Sequence, residues 1–75
     1  MPNQEWVVHS GEDVGRAIAD IRHRRGLSQS ALAELASLDP GYLSKIERGR
    51  SVSLLEHQLR TLRRLGATVT ITLED

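Results

Sequence analysis

The stretch LSQSALAELASLDPGYLSKIERG, residues Leu27 to Gly49, decides how the rest of the chain is read. It falls into two short apolar-periodic segments around a break at Ser37. In the first, Leu32 and Ala36 lie four apart on one helical face with the small Ala33 beside them. After the break Leu38 points inward, and Leu43 and Ile46 repeat at i, i+3, so two successive helices can bury one shared apolar stripe. Ala33 lets the second helix cross the first closely. With Leu43 and Ile46 turned in, Pro40, Gly41, Ser44, Lys45 and Arg48 form the outward set. Ser28 is a good N-cap for the first helix, and Asp39 followed by Pro40 is a good N-cap and first residue for the second.

Upstream, Ser10 followed by Asp13 reads as a capping box with Asp in place of Glu, so a first helix starts near Gly11. Val14, Ala17, Ile18 and Ile21 give it a core-facing stripe, and Gly26 ends it. Arg24 and Arg25 suit the negative end of that helix dipole. Met1 and Pro2 are expected to be loosely held, Trp6 to Val8 read as a short strand or strap, and Trp6 as a core plug. Downstream, Ser53-Leu54-Leu55-Glu56 is a capping box for a further helix whose buried stripe is Leu55, Leu59, Leu62 and Leu65, stopped by Gly66.

The tail, residues 68–73, reads TVTITL with strict alternation: Val69, Ile71 and Leu73 on one face, threonines on the other. It is a strand, and one strand cannot satisfy its own backbone groups. It pairs either with the Trp6 to Val8 segment or with the same strand in a second copy. The second is favoured: pairing about a two-fold axis makes Val69, Ile71 and Leu73 a dimer interface and enlarges a small core.

A chain of 75 residues is a single domain, residues 1–75, near the lower limit for burying an adequate core alone. It has no cysteine, so disulfides and thiolate metal sites are excluded and a reducing cytoplasm is the expected compartment. No apolar run reaches membrane-spanning length, so no membrane association is expected. The net charge is zero, but it is unevenly spread. Between Arg16 and Arg64 lie all ten Lys and Arg against five acids, and that local excess attracts a polyanion. His9, His23 and His57 are not at metal-ligand spacing, and no paired-carboxylate or Ser-His-Asp arrangement can be built, so no enzyme, metal or cofactor is expected.

The polar opening at Ser28 and Gln29, the small Ala33, the apolar Leu32, Leu38, Leu43 and Ile46, and the closing IERG of Ile46 to Gly49 together resemble the helix-turn-helix of Xre/Cro-type DNA-binding proteins. The resemblance implies a mainly α fold: a lambda-repressor-like bundle of about four helices, with the motif at 28–49 and a C-terminal strand at 68–73 for dimerisation. It implies that the second helix enters the major groove of double-stranded DNA. The base-reading positions then fall on Pro40, Gly41, Ser44 and Lys45, with Asp39 just before them. Ser28, Gln29, Tyr42, Arg48, Arg50 and Ser51 fall where phosphate is contacted, and Arg22 pairs with Glu47 to fix how two helices dock.

Two departures matter. Many relatives carry glutamine, arginine or asparagine at the positions of Pro40 and Gly41, where bidentate contacts to a base are possible. These two residues offer only apolar or backbone contact, which leaves Lys45 as the best direct reader and gives DNA shape a large share of specificity. Ser37 replaces the glycine usual in the turn, at a cost of about 1–2 kcal/mol if its backbone is left-handed.

Four helices followed by RRLGATVTITL look like the HipB-like antitoxins. That resemblance implies a homodimer that binds palindromic operators, represses its own operon and docks a HipA-type kinase toxin in the bacterial cytoplasm, at the nucleoid. A stand-alone dimeric Xre-type regulator and a protein-docking module on the same scaffold are the alternatives.

Overall fold

The structure, a computed structural model, describes residues 4–74. Met1 and Pro2, expected to be loosely held, and Asp75 lie outside the described residues. The chain runs β1 (Gln4–Val8), α1 (Gly11–Arg24), α2 (Gln29–Ala36), α3 (Pro40–Glu47), α4 (Ser53–Arg64), β2 (Val69–Leu73). No helix among the described residues is long and apolar enough to cross a membrane.

Helix α1 forms where its apolar stripe demands, but its start is held differently from the capping box read in the sequence. Ser10 makes no side-chain cap. Asp13 reaches back to the His9 amide at 2.8 Å, and the Gly11 amide donates to Glu56 Oε2 at 2.8 Å, 45 residues away. Glu56 therefore does not cap its own helix: α4 starts after Val52 with no side-chain cap. An open α1 N-terminus attracts a carboxylate more strongly than a helix start that water can satisfy. The Ser51 hydroxyl and the Gly11 amide hold the Glu56 carboxyl below the usual glutamate range.

Close packing at the centre rests on small residues. Ala17 and Ala33 are fully buried, and Leu43, 2 % exposed, is the large side chain buried with them. Burying that leucine contributes about 2 kcal/mol. Gly15 sits where α1 crosses the end of α3, and a β-carbon there would lie 2.0 Å from the Ile46 carbonyl oxygen. The two backbones approach closer than any side chain allows. Ser37 does adopt the left-handed conformation, φ 57° and ψ 42°, and the Leu38 amide donates to the Ala33 carbonyl at 2.8 Å to close the turn between α2 and α3.

The tail strand pairs inside the chain. β2 runs antiparallel to β1 with Trp6 opposite Ile71 and Val8 opposite Val69. This corrects the favoured expectation of pairing with a second copy: Val69, Ile71 and Leu73 are half-buried on the same face as Trp6 and the buried Val8, turned toward the domain. The sheet is braced against the helices at both strands, Arg63 donating to the His9 carbonyl after β1 and Arg25 to the Glu74 carbonyl after β2. Trp6 is not a core plug either. It is half-buried, its indole N–H donates to Asp20 at 2.9 Å, and the Arg24 guanidinium lies 5.7 Å over its ring.

Helix α4 also departs from its expected stripe. Leu59 is buried and Leu55 half-buried, but Leu62 is 38 % and Leu65 77 % exposed. The body is flat, 17 Å in its short dimension, and among the described residues nothing covers these two leucines of α4.

Gly15→Ala is expected to destabilise the fold by about 1–3 kcal/mol despite the better helix propensity of alanine. Urea unfolding monitored by circular dichroism reads this, and an unchanged or raised midpoint would show that the α1–α3 crossing is looser than described.

Candidate nucleic-acid interface

Helix α3 is eight residues long, too short to be stable by itself, so its position is set by what holds its two ends and its inner face. At the start, Asp39 Oδ2 accepts from the Tyr42 amide at 3.1 Å, and Pro40 occupies the first turn, where no amide is needed. On the inner face, Leu43 is buried and Ile46 half-buried. At the end, Glu47 receives two hydrogen bonds from Arg22 of α1, Nε to Oε2 at 2.8 Å and Nη2 to Oε1 at 3.0 Å.

That pair is nearly dry, with side-chain exposures of 11 % for Arg22 and 5 % for Glu47. The remaining polar capacity is used: Arg22 Nη1 donates to the Leu27 carbonyl at 2.9 Å, and Gln29 Nε2 donates to Glu47 Oε1 at 3.1 Å. The Arg22 hydrogen bonds hold the Glu47 carboxyl below the usual glutamate range against the opposing effect of burial, with Gln29 adding to the lowering. The Leu27 contact fixes the loop that leads into α2, so one guanidinium joins α1, the α1–α2 loop and α3.

The outward side of α3 then follows from geometry. Pro40, Gly41, Tyr42, Lys45 and Arg48 are exposed and Ser44 is half-buried. A β-carbon at Gly41 would meet only the Asp39 carboxylate, at 2.9 Å, so the start of the helix is bare and another molecule can approach its backbone. Arg50 and Ser51 continue the same exposed surface into the linker before α4. Among the described residues no carboxylate lies within ion-pair distance of Lys45, Arg48 or Arg50. Their charge is available to a polyanion.

Helix α2 adds its N-terminus. Ser28 is exposed and its Oγ accepts from the Ala31 amide at 3.0 Å, which leaves its hydroxyl hydrogen free to donate outward. Gln29, read in the sequence as a phosphate contact, is half-buried with one amide hydrogen spent on Glu47. Only its second N–H can reach a phosphate. Tyr42 is 53 % exposed and lines the same groove as Val14 and Ile18.

Two contributors escaped the sequence reading. Gly15 allows α3 to seat against α1, and Glu56 anchors the first turn of α1 to α4. A glycine inside an otherwise regular helical stripe was the available signal for the first. Nothing local in the sequence marks the second, since its partners are 45 residues apart. Among the described residues no group of three or more His, Cys, Asp or Glu side chains is placed to hold a metal ion.

A family model described as a helix-turn-helix domain matches residues 13–70, from the first turn of α1 into β2. No curated protein and no solved structure matches the chain.

Because the folded chain binds a proton at Glu47 only at lower pH than the unfolded chain, the contribution of Glu47 to stability is full above the ordinary glutamate range of about 4.3 and drains as the pH falls through the lower folded value. Thermal melts between pH 7 and pH 2.5 should show a decline that is shallower in Glu47→Gln than in the natural chain. Parallel curves would remove this carboxylate from the acid transition.

Proposed function

The chain belongs to the helix-turn-helix domain family, and we propose on that premise that it is a sequence-specific DNA-binding repressor whose α3 lies in the major groove of a palindromic operator. The single observation that carries this reading is the set of exposed cations on and just after α3, Lys45, Arg48 and Arg50, none of which meets a carboxylate at ion-pair distance among the described residues. Lys45 reaches toward guanine O6 and N7, and Ser44 toward a base or a phosphate. Pro40 and Gly41 supply apolar and backbone contact only, so DNA shape contributes much of the selectivity. Ser28, Gln29, Tyr42, Arg48, Arg50 and Ser51 set the register on the phosphates. No catalytic role is assigned, and the reading places the protein in the cytoplasm at the nucleoid.

Within the family we favour an Xre-type, HipB-like antitoxin that acts as a homodimer, represses its own operon and docks a HipA-type kinase toxin. The order of four helices followed by a strand supports it. Dimer formation is supported by the sheet, whose order β1-β2 leaves the outer edge of β2 without a partner among the described residues, and by the exposed Leu62 and Leu65 nearby on α4. Val69, Ile71 and Leu73 are then half-buried supports of the edge rather than the contact itself. A second reading, a protein-docking module with no DNA partner, is favoured by the bare Pro40 and Gly41.

Fluorescence anisotropy against the DNA upstream of the protein's own reading frame separates these readings. A dimer touching about 6–10 phosphates gives a steep fall of log affinity with log salt. Lys45→Ala is expected to cost about 1–3 kcal/mol of discrimination between operator and random duplex, while Arg50→Ala weakens both alike and lowers the salt slope by about 1. Equal losses on both duplexes for Lys45→Ala would remove it as a base reader, and no salt-dependent binding at all would leave the docking module. For the dimer, Leu65→Glu is expected to give a folded monomer in sedimentation velocity. An unchanged dimer would place the interface elsewhere.

A further inference from the structure

Between α1, α3 and the start of α4 runs a groove of about 430 Å³, inside the range of about 300–1,000 Å³ common to small-molecule sites. Val14 and Ile18 of α1, Ile46 of α3 and Leu55 of α4 line it, all half-buried apolar side chains with one side open. Two cations, Lys45 and Arg50, line the same groove. They are rooted together, since the Arg50 amide donates to the Lys45 carbonyl at 3.0 Å. Among the described residues neither meets a carboxylate at ion-pair distance. Glu56, which approaches the linker from α4, is committed to the Gly11 amide.

We propose that this groove binds an amphipathic monocarboxylate, its apolar body on Val14, Ile18 and Leu55 and its head group between Lys45 and Arg50. An apolar body covers side chains that the flat fold leaves open to water. A cationic head group would face two like charges, whereas an anionic one meets two exposed cations, so the lining favours an acid over a base of the same length. Because the same two cations are DNA contacts in the function proposed above, the bound acid and DNA exclude one another. That consequence rests on the DNA-binding reading; the binding itself does not.

Decanoate, kept below its micelle concentration, is the probe, with decyltrimethylammonium as its charge-reversed counterpart and methyl-resolved NMR of the full chain as the readout. Decanoate is expected to shift the methyls of Val14, Ile18 and Leu55 saturably and to bind about tenfold or more tightly than the ammonium. The surface double variant Lys45→Gln with Arg50→Gln is expected to bring the two probes to equal affinity without altering the fold. Equal affinities in the natural chain, or shifts centred on Leu59 and Leu62 on the other side of α4, would overturn the proposal. Adding operator DNA separates the two claims. Decanoate shifts without any DNA binding leave the groove and reject the function, whereas DNA binding without saturable decanoate shifts does the reverse.

Discussion

A guanidinium shared between Glu47 and the Leu27 carbonyl is the contact on which the presentation of α3 depends. An eight-residue helix has little cohesion of its own, and a carboxylate in its last position opposes the helix dipole. Arg22 turns that liability into an anchor. Its fork geometry accepts one orientation of the carboxylate, so the end of α3 is fixed in rotation as well as position. Leu43 then has to point in, and Lys45, two positions on, has to point out. The exposed cations of the proposed reading surface follow from a nearly dry ion pair at the end of the helix.

The ion pair can do this only because the helices are close enough. Gly15 removes the side chain that would hold α1 away from the Ile46 carbonyl, and the fully buried Ala17 of α1 and Ala33 of α2 keep the remaining core positions small. The result is a core that is well packed but thin, and it stops at α4. Leu59 is the buried contribution of that helix, while Leu62 and Leu65 remain in water. The chain thus spends its apolar residues unevenly: a packed α1–α2–α3 unit carries the proposed reading surface, and a loosely covered side made of α4 and the sheet offers area for other contacts. Both the groove beside Leu55 and the open edge of β2 lie where that packing runs out.

Much of this was legible in the sequence because the controlling signals are local. Apolar spacing placed all four helices, the Asp39-Pro40 pair marked the start of α3, and the alternation of residues 68–73 marked the strand. What local pattern could not supply was the partner of each element. Alternation in the tail says that a strand must pair but not with what, so it admits a second copy as readily as β1, which is the partner found. Ser53 and Glu56 have the spacing of a capping box, yet the carboxylate serves a different helix, since capping preference does not know which open amide is closest in space. Leu62 and Leu65 continue a faultless helical stripe, but burial needs a layer to bury against, and among the described residues none covers them. In the interface, the exposed positions followed from the inward ones, whereas the loss of one Gln29 amide hydrogen to Glu47 is visible only in three dimensions.

The most direct measurement is a double-mutant cycle on stability using Arg22→Met, Glu47→Met and the two together, read by urea unfolding. If the pair orients α3 as described, each single variant strands a nearly dry charge and is less stable than the double variant, so the coupling is large and favourable. Additive losses, with the double variant the least stable of the three, would mean that the two residues act independently and that something else seats the helix.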